Sequence, residues 1–230
     1  TLATLHHAAG MMGEPNGLML PNTSERMSFA RRVPHGVVGV IAPFNFPLTL
    51  AIRAVAPALV TGNAVILKPD PQTAVCGGVL IARVFEEAGL PQGLFHMLPA
   101  GADVGEAICT DPHIAMVAFT GSTAAGRKVG ALCGAHLKKV SLELGGKNSL
   151  IVLDDADLDA AASGAAFGAW LHQGQICMAT GRILAHEKIA AELTGRLKAK
   201  ALKLSVGDPA REKVALGPVI NERQLHSIDA

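Results

Sequence analysis

Five short stretches of this sequence carry side chains suited to chemistry. Cys177 lies in His172-Gln173-Gly174-Gln175-Ile176-Cys177-Met178. Glycine and polar neighbours around a cysteine indicate an exposed turn, where a thiol of lowered pKa becomes a thiolate nucleophile. Glu143 closes an apolar run and precedes Leu144-Gly145-Gly146. A carboxylate at the end of a strand, beside a chain reversal, can reach a cleft and act as a general base. Asn45 is polar inside Pro43-Phe44-Asn45-Phe46-Pro47. An amide buried there must be hydrogen-bonded or kept for a ligand. Each is unremarkable alone; together they supply a nucleophile, a base and an oxyanion donor.

The other two stretches suit anions. Gly121-Ser122-Thr123-Ala124-Ala125-Gly126 falls between a strand pattern and a helix pattern. Phosphates bind at such points, because the first N–H groups of the helix and its dipole face the anion. The spacing is not GxGxxG. It approaches a P-loop, but Arg127 stands where the lysine should be and no hydroxyl follows it. A tight turn with a serine N-cap is the plainer reading. Lys68, in Leu67-Lys68-Pro69-Asp70, follows a strand end. It could bind ribose hydroxyls or a phosphate, or be an ordinary surface lysine. Cys76, Cys109 and Cys133 lie in helical apolar patterns and are expected in the core. His172 could face Cys177. Asp154, Asp155 and Asp157 could suggest a metal, but acids at a helix start match an N-cap and the helix dipole better. No metal ligand is assigned.

Alternating elements must position these residues. Strand patterns cover residues 36–42, 64–67, 94–98, 114–119 and 139–142. Helix patterns cover 48–60, 73–88, 103–109 and 122–136. Short loops between buried apolar strands predict a mostly parallel α/β sheet. Residues 26–33 read as half of a β-hairpin around Pro34-His35-Gly36. After Gly146 come a strand at 150–153 and an alanine-rich helix to Leu171. The domain boundary is expected at 143–146, where two glycines follow a strand.

Composition excludes several classes. Half of the 230 residues are hydrophobic and 17% are charged, so the chain can bury a core and is not disordered. A net charge of +1 provides no footprint for nucleic acid or an acidic membrane surface. No run of roughly 20 apolar residues could cross a membrane. The four cysteines form no CxxC pair, so neither a disulfide framework nor a zinc knuckle is indicated, and a reduced, cytoplasmic setting is expected. The chain opens on Thr1 and stops at Ala230 in a helical pattern, so an internal piece of a longer protein is expected.

In sequence order, five segments resemble motifs of the aldehyde dehydrogenase superfamily. Pro43-Phe-Asn-Phe-Pro47 is similar to its Pro-Trp-Asn-Phe-Pro segment, and Leu67-Lys68-Pro69 to the stretch carrying its adenosine-ribose lysine. Phe119-Thr-Gly-Ser-Thr-Ala-Ala-Gly126 resembles its cofactor turn. Glu143-Leu-Gly-Gly-Lys-Asn148 resembles its general-base motif, and Gly174-Gln-Ile-Cys177 its nucleophile motif. Residues 67–78 and 171–178 look most like the bacterial aryl-aldehyde (benzaldehyde, vanillin or salicylaldehyde) dehydrogenases.

The resemblance implies a Rossmann-like cofactor domain over residues 41–143 and part of a catalytic α/β domain over 144–230. It also implies a helical segment over 1–25 and an oligomerisation strand over 26–40, hence a homodimer or homotetramer. Cys177, Glu143 and Asn45 would be catalytic. Ile41, Pro43, Phe44, Lys68, Gly101, Gly121, Ser122, Gly126 and Leu144 would hold NAD or NADP. The thiolate would add to the aldehyde, Asn45 and the Cys177 N–H would hold the oxyanion, and Glu143 would activate the water that releases the carboxylate. Glu143 argues against transfer of the acyl group to coenzyme A. There are departures. Phe44 replaces Trp, and Pro71 stands where many members carry an acid for the ribose. The Glu-Ile-Phe-Gly-Pro segment, whose Glu grips the nicotinamide ribose, is absent. A catalytically incomplete nucleotide-binding or dimerisation module, and a phosphatase or kinase using the Gly121 loop, are the alternatives.

Overall fold

Valine- and isoleucine-rich runs bounded by glycine or proline favour strands, and in this chain they alternate with helices. A computed structural model describes residues 1–229. Ala230, where the sequence reads as helix, lies outside the described residues. In chain order the elements are α1 (Leu2–Gly10), β1 (Gly17–Met19), β2 (Phe29–Arg31), β3 (Val37–Ile41), α2 (Pro47–Val60), β4 (Ala64–Lys68), α3 (Leu80–Glu87), β5 (Phe95–Met97), α4 (Ala102–Thr110), β6 (Ile114–Gly121), α5 (Thr123–Ala135) and β7 (Lys139–Leu144). These form a first compact unit, Thr1–Leu144; a second begins at Gly145. The second holds β8 (Asn148–Val152), α6 (Leu158–Trp170), β9 (Thr180–Ala185), α7 (Glu187–Ala201) and α8 (Glu222–Asp229).

In the first unit, five parallel strands run in the order β5-β4-β3-β6-β7. The chain builds outward from β3 to β5, then crosses back to place β6 on the other side of β3. Strand order therefore reverses between β3 and β6. Val38, Val40, Val65 and Leu67 pack with Ile52 and Val55 of α2 in one core. Val117 and Phe119 pack with Ile108, Cys109 and Cys133 of α4 and α5 in another. Gly39 lets α4 approach the sheet: a Cβ there would collide with Ile108 Cγ2.

In the second unit, β8 and β9 are parallel. Val152, Ala162, Ile189 and Leu193 form their own core with α6 and α7. Asp157 caps α6 by accepting from the N–H groups of Asp159 and Ala160 at 2.9 and 3.1 Å. Asp154 pairs with Lys188 at 3.1 Å. Both carboxylates thus have structural partners, and no group of three or more metal-ligating side chains occurs among the described residues. Among those residues no helix is long and apolar enough to cross a membrane.

The structure differs from the sequence reading in several places. The expected helical segment over 1–25 is helical only to Gly13 and then forms the strand β1. The segment around β2 does not fold back over Pro34-His35-Gly36. It pairs antiparallel with β1 upstream, Leu18 facing Ala30. The Asn63 carbonyl oxygen accepts from the N–H groups of His35 and Gly36 at 2.7 and 3.2 Å, so the turn feeds β3 straight into the parallel sheet. Residues 37–40 therefore belong to β3, not to a hairpin strand. The expected helix over 73–88 is divided into a 3-10 turn (Pro71–Thr73), a π turn (Val75–Val79) and α3. The π turn faces Gly77 and Gly78 inward, where a Cβ would lie 2.8 Å from Pro47 and Pro69 respectively. That phase shift turns Cys76 outward, so it is exposed and not a core residue.

Gly39→Ala should destabilise the first unit by about 1–3 kcal/mol through overpacking. Adding Ile108→Ala should restore part of that loss, read from the urea midpoint of unfolding. Equal midpoints for Gly39→Ala and the parent would show that α4 does not press on β3 there.

Candidate active site

Parallel strands end at one edge of their sheet, so the register decides which strand-end residues are neighbours. Ile41 on β3 pairs with Lys68 on β4 and with Phe119 on β6. Thr120 and Gly121 pair with Glu143 and Leu144 on β7. Ile41, Lys68, Gly121, Glu143 and Leu144 are thereby brought to one edge. Pro43, Phe44 and Asn45 follow β3 there and are half-buried. Gly101 caps α4 and Ser122 caps α5. This is the edge, beside the reversal of strand order, at which open α/β sheets bind ligands.

Lys68 is buried, 7% exposed, so the surface-lysine alternative is excluded. Its Nζ donates to the Pro69 carbonyl at 3.2 Å, and no carboxylate lies within ion-pair distance among the described residues. Burial lowers its pKa, while the charges of Asp70 and then Asp103 oppose that shift. Gly105 of α4 lies against the lysine stem, where a Cβ would sit 3.7 Å from Lys68 Cδ in ordinary van der Waals contact.

The Ser122 hydroxyl accepts from the Ala125 N–H at 3.2 Å. This is the serine cap expected of a tight turn, and it also sets the first turn of α5 against the edge. Gly126 allows close packing on β7, since a Cβ there would collide with Leu144 Cδ2. Glu143 stands within β7, which runs two residues further than its apolar pattern indicated. Its carboxylate lies 3.6 Å from the Arg53 guanidinium, with both side chains about half exposed. Such a pair is worth at most about 1 kcal/mol.

Cys177 belongs to the second unit and is exposed, between a 3-10 turn (Leu171–Gly174) and β9. His172, Gln173 and Gly174 all hold positive φ, at 54°, 57° and 70°. Non-glycine residues keep that conformation only where their surroundings impose it. The His172 carbonyl accepts from the Gln175 N–H at 3.0 Å. Gln175 Oε1 accepts from the Ile220 N–H at 3.1 Å. The Asn148 amide donates to the carbonyls of Cys177 and Ala179. Asn148, Arg53 and Gln175 were not singled out from the sequence. Their partners stand 29, 90 and 45 positions away, so no local signal marks them.

Two of the other three thiols differ sharply. Cys109 and Cys133 are fully buried. Burial first, then the neighbouring Cys133, pushes the Cys109 pKa up to about 12.

Comparisons with known proteins agree with the α/β fold and identify a family. The model of the aldehyde dehydrogenase family matches residues 1–230. A vanillin dehydrogenase of an Amycolatopsis species is 60% identical over 223 residues, which are 97% of this chain and 46% of that protein. A benzaldehyde dehydrogenase (NAD(+)) of Pseudomonas putida is 56% identical over 227 residues, 98% of this chain and 47% of that protein. The structure of a Bacillus cereus aldehyde dehydrogenase in complex with NAD+ superposes with a TM-score of 0.94 at 34% identity, covering 98% of this chain and 46% of that one. The chain spans about half the length of the curated relatives it matches.

An aromatic disulfide reagent applied to the folded chain should modify Cys76 and Cys177. Cys109 and Cys133 should react at least about tenfold more slowly until guanidinium unfolds the chain, because both are buried away from the reagent. Four thiols reacting at one rate before unfolding would contradict the buried pair.

Proposed function

This chain belongs to the aldehyde dehydrogenase family, and on that premise we propose that it carries the dinucleotide-binding unit and the nucleophile of an NAD(P)-dependent aryl-aldehyde dehydrogenase. The observation that supports the reading is the sheet edge at which Lys68 and Glu143 lie near their strand ends, with Asn45 following β3 and Ser122 following β6. The names of the vanillin and benzaldehyde dehydrogenase relatives support the aromatic substrate class.

The residues present fit a dinucleotide. Lys68 is a buried ammonium with one hydrogen bond, so it has N–H donors left for ribose hydroxyls. The Ser122-capped N-terminus of α5 suits the diphosphate. Gly101, Gly121, Gly126, Ile41, Pro43, Phe44 and Leu144 would shape the remaining contacts. When bound, the dinucleotide accepts the hydride that the aldehyde gives up.

This chain's own groups do the rest. The Cys177 thiolate adds to the carbonyl carbon, forming a thiohemiacetal. The Asn45 amide and the Cys177 N–H hold the oxyanion, worth roughly 3 kcal/mol per donor. Glu143 takes a proton from the water that hydrolyses the resulting thioester to the carboxylate. The β1–β2 ribbon, with Leu18, Met19 and Phe29 exposed, would pair subunits into a homodimer or homotetramer.

The test is NAD(P)H formation at 340 nm from benzaldehyde and vanillin, with NAD and with NADP, by the protein as its cell makes it. Cys177→Ala should lower turnover by at least about 1,000-fold. Glu143→Gln should keep a burst of reduced nucleotide while steady turnover falls roughly 100-fold. Ser122→Glu should raise the KM for the nucleotide roughly tenfold by charge repulsion, leaving the aldehyde KM in place. Full turnover by Cys177→Ala would refute the mechanism. Nucleotide binding without turnover of any aldehyde would favour a binding module instead.

A further inference from the structure

We propose that Asn148 is the positioning residue of the nucleophile: its side-chain amide anchors the turn that carries Cys177 and so sets where the thiol is presented. The inference rests on the reading of Cys177 as nucleophile. Asn148 Nδ2 donates to the Cys177 carbonyl at 2.9 Å and to the Ala179 carbonyl at 3.1 Å. The turn itself is closed by the Ala179 N–H, which donates to the Ile176 carbonyl at 3.0 Å. One amide thus grips two carbonyls of a single turn.

The strand ladder explains why Asn148 can do this. Asn148 pairs with Thr180, yet Ser149 pairs with Arg182, so the register slips by one residue at Gly181. A bulge leaves its residue unpaired and re-aims the neighbouring side chain. Gly181 keeps the bulge clear, since a Cβ there would lie 2.6 Å from Lys147 Cδ. The Asn148 amide bonds two carbonyls just upstream of β9, beside the point where the register slips. Upstream of Cys177, the left-handed residues His172 and Gln173 and the Gln175–Ile220 bond restrain the chain. With both flanks held, the thiol moves about its own side-chain torsion instead of riding on a mobile loop.

The chemistry is sensitive to such placement. A nucleophile displaced by about 1 Å from its line of attack can lose roughly 100-fold in rate. The asparagine amide offers two N–H donors, enough for two carbonyls at this reach; a carboxylate would repel both, and a serine hydroxyl donates once.

The experiment compares Asn148→Ala and Asn148→Ser with the parent in the protein as its cell makes it. Backbone hydrogen exchange is followed by mass spectrometry, alongside benzaldehyde oxidation. In Asn148→Ala, residues 176–179 should exchange roughly tenfold faster while β9 and α7 keep their protection. The kcat should fall roughly 10- to 100-fold with the nucleotide KM within about twofold. Asn148→Ser, which keeps one donor, should lie between, and it serves as the reporter if the alanine variant loses protection everywhere. Unchanged exchange at 176–179 would overturn the proposal. So would faster exchange with unchanged kcat. A parent protein that oxidises no aldehyde would instead refute the functional reading, a failure visible before any variant is made.

Discussion

The parallel register of β3, β4, β6 and β7 is the constraint from which the first unit's candidate site follows. Parallel pairing sends every strand end to the same edge, and the pairing of Ile41 with both Lys68 and Phe119 sets their heights there. A slip of one residue on β4 would turn Lys68 to the other face of the sheet. The packing beneath holds that register. Val65, Leu67 and Val117 are fully buried between the helices, so a slip would expose apolar side chains across the sheet. Gly39 and Gly126 do the complementary work, admitting α4 and α5 where a methyl group would hold them off.

Charge is handled differently at neighbouring points of this edge. Lys68 is buried, and its charge is supported at a distance by Asp70 and Asp103. Glu143 faces Arg53 on exposed ground, where water screens the pair. A buried ammonium with spare donors suits a ligand that brings its own acceptors. An exposed carboxylate with a loose partner can turn toward a water molecule.

The second unit presents an exposed cysteine from an irregular loop. Its loop uses two left-handed non-glycine residues ahead of the thiol and a strand bulge opposite it. Both are irregularities within their elements. Two side-chain amides near them, Gln175 and Asn148, bond the backbone across long stretches of sequence. A short sequence motif around a cysteine therefore describes only part of what presents it.

The alternating parallel α/β pattern, the serine cap of α5, the acidic cap of α6 and the exposed setting of Cys177 were legible in the residues. Each depends on neighbours within about one turn or one strand, where periodicity and capping chemistry act. The pairing of β2 with β1, the outward turn of Cys76, the burial of Lys68, and the amide clamp of Asn148 were settled only by tertiary structure. Asn63 satisfies the turn before β3 from 27 and 28 positions away, and Gly77 and Gly78 face inward only because Pro47 and Pro69 lie against them. Hydrogen-bond satisfaction and close packing join residues distant in the chain, and no local spacing can express them.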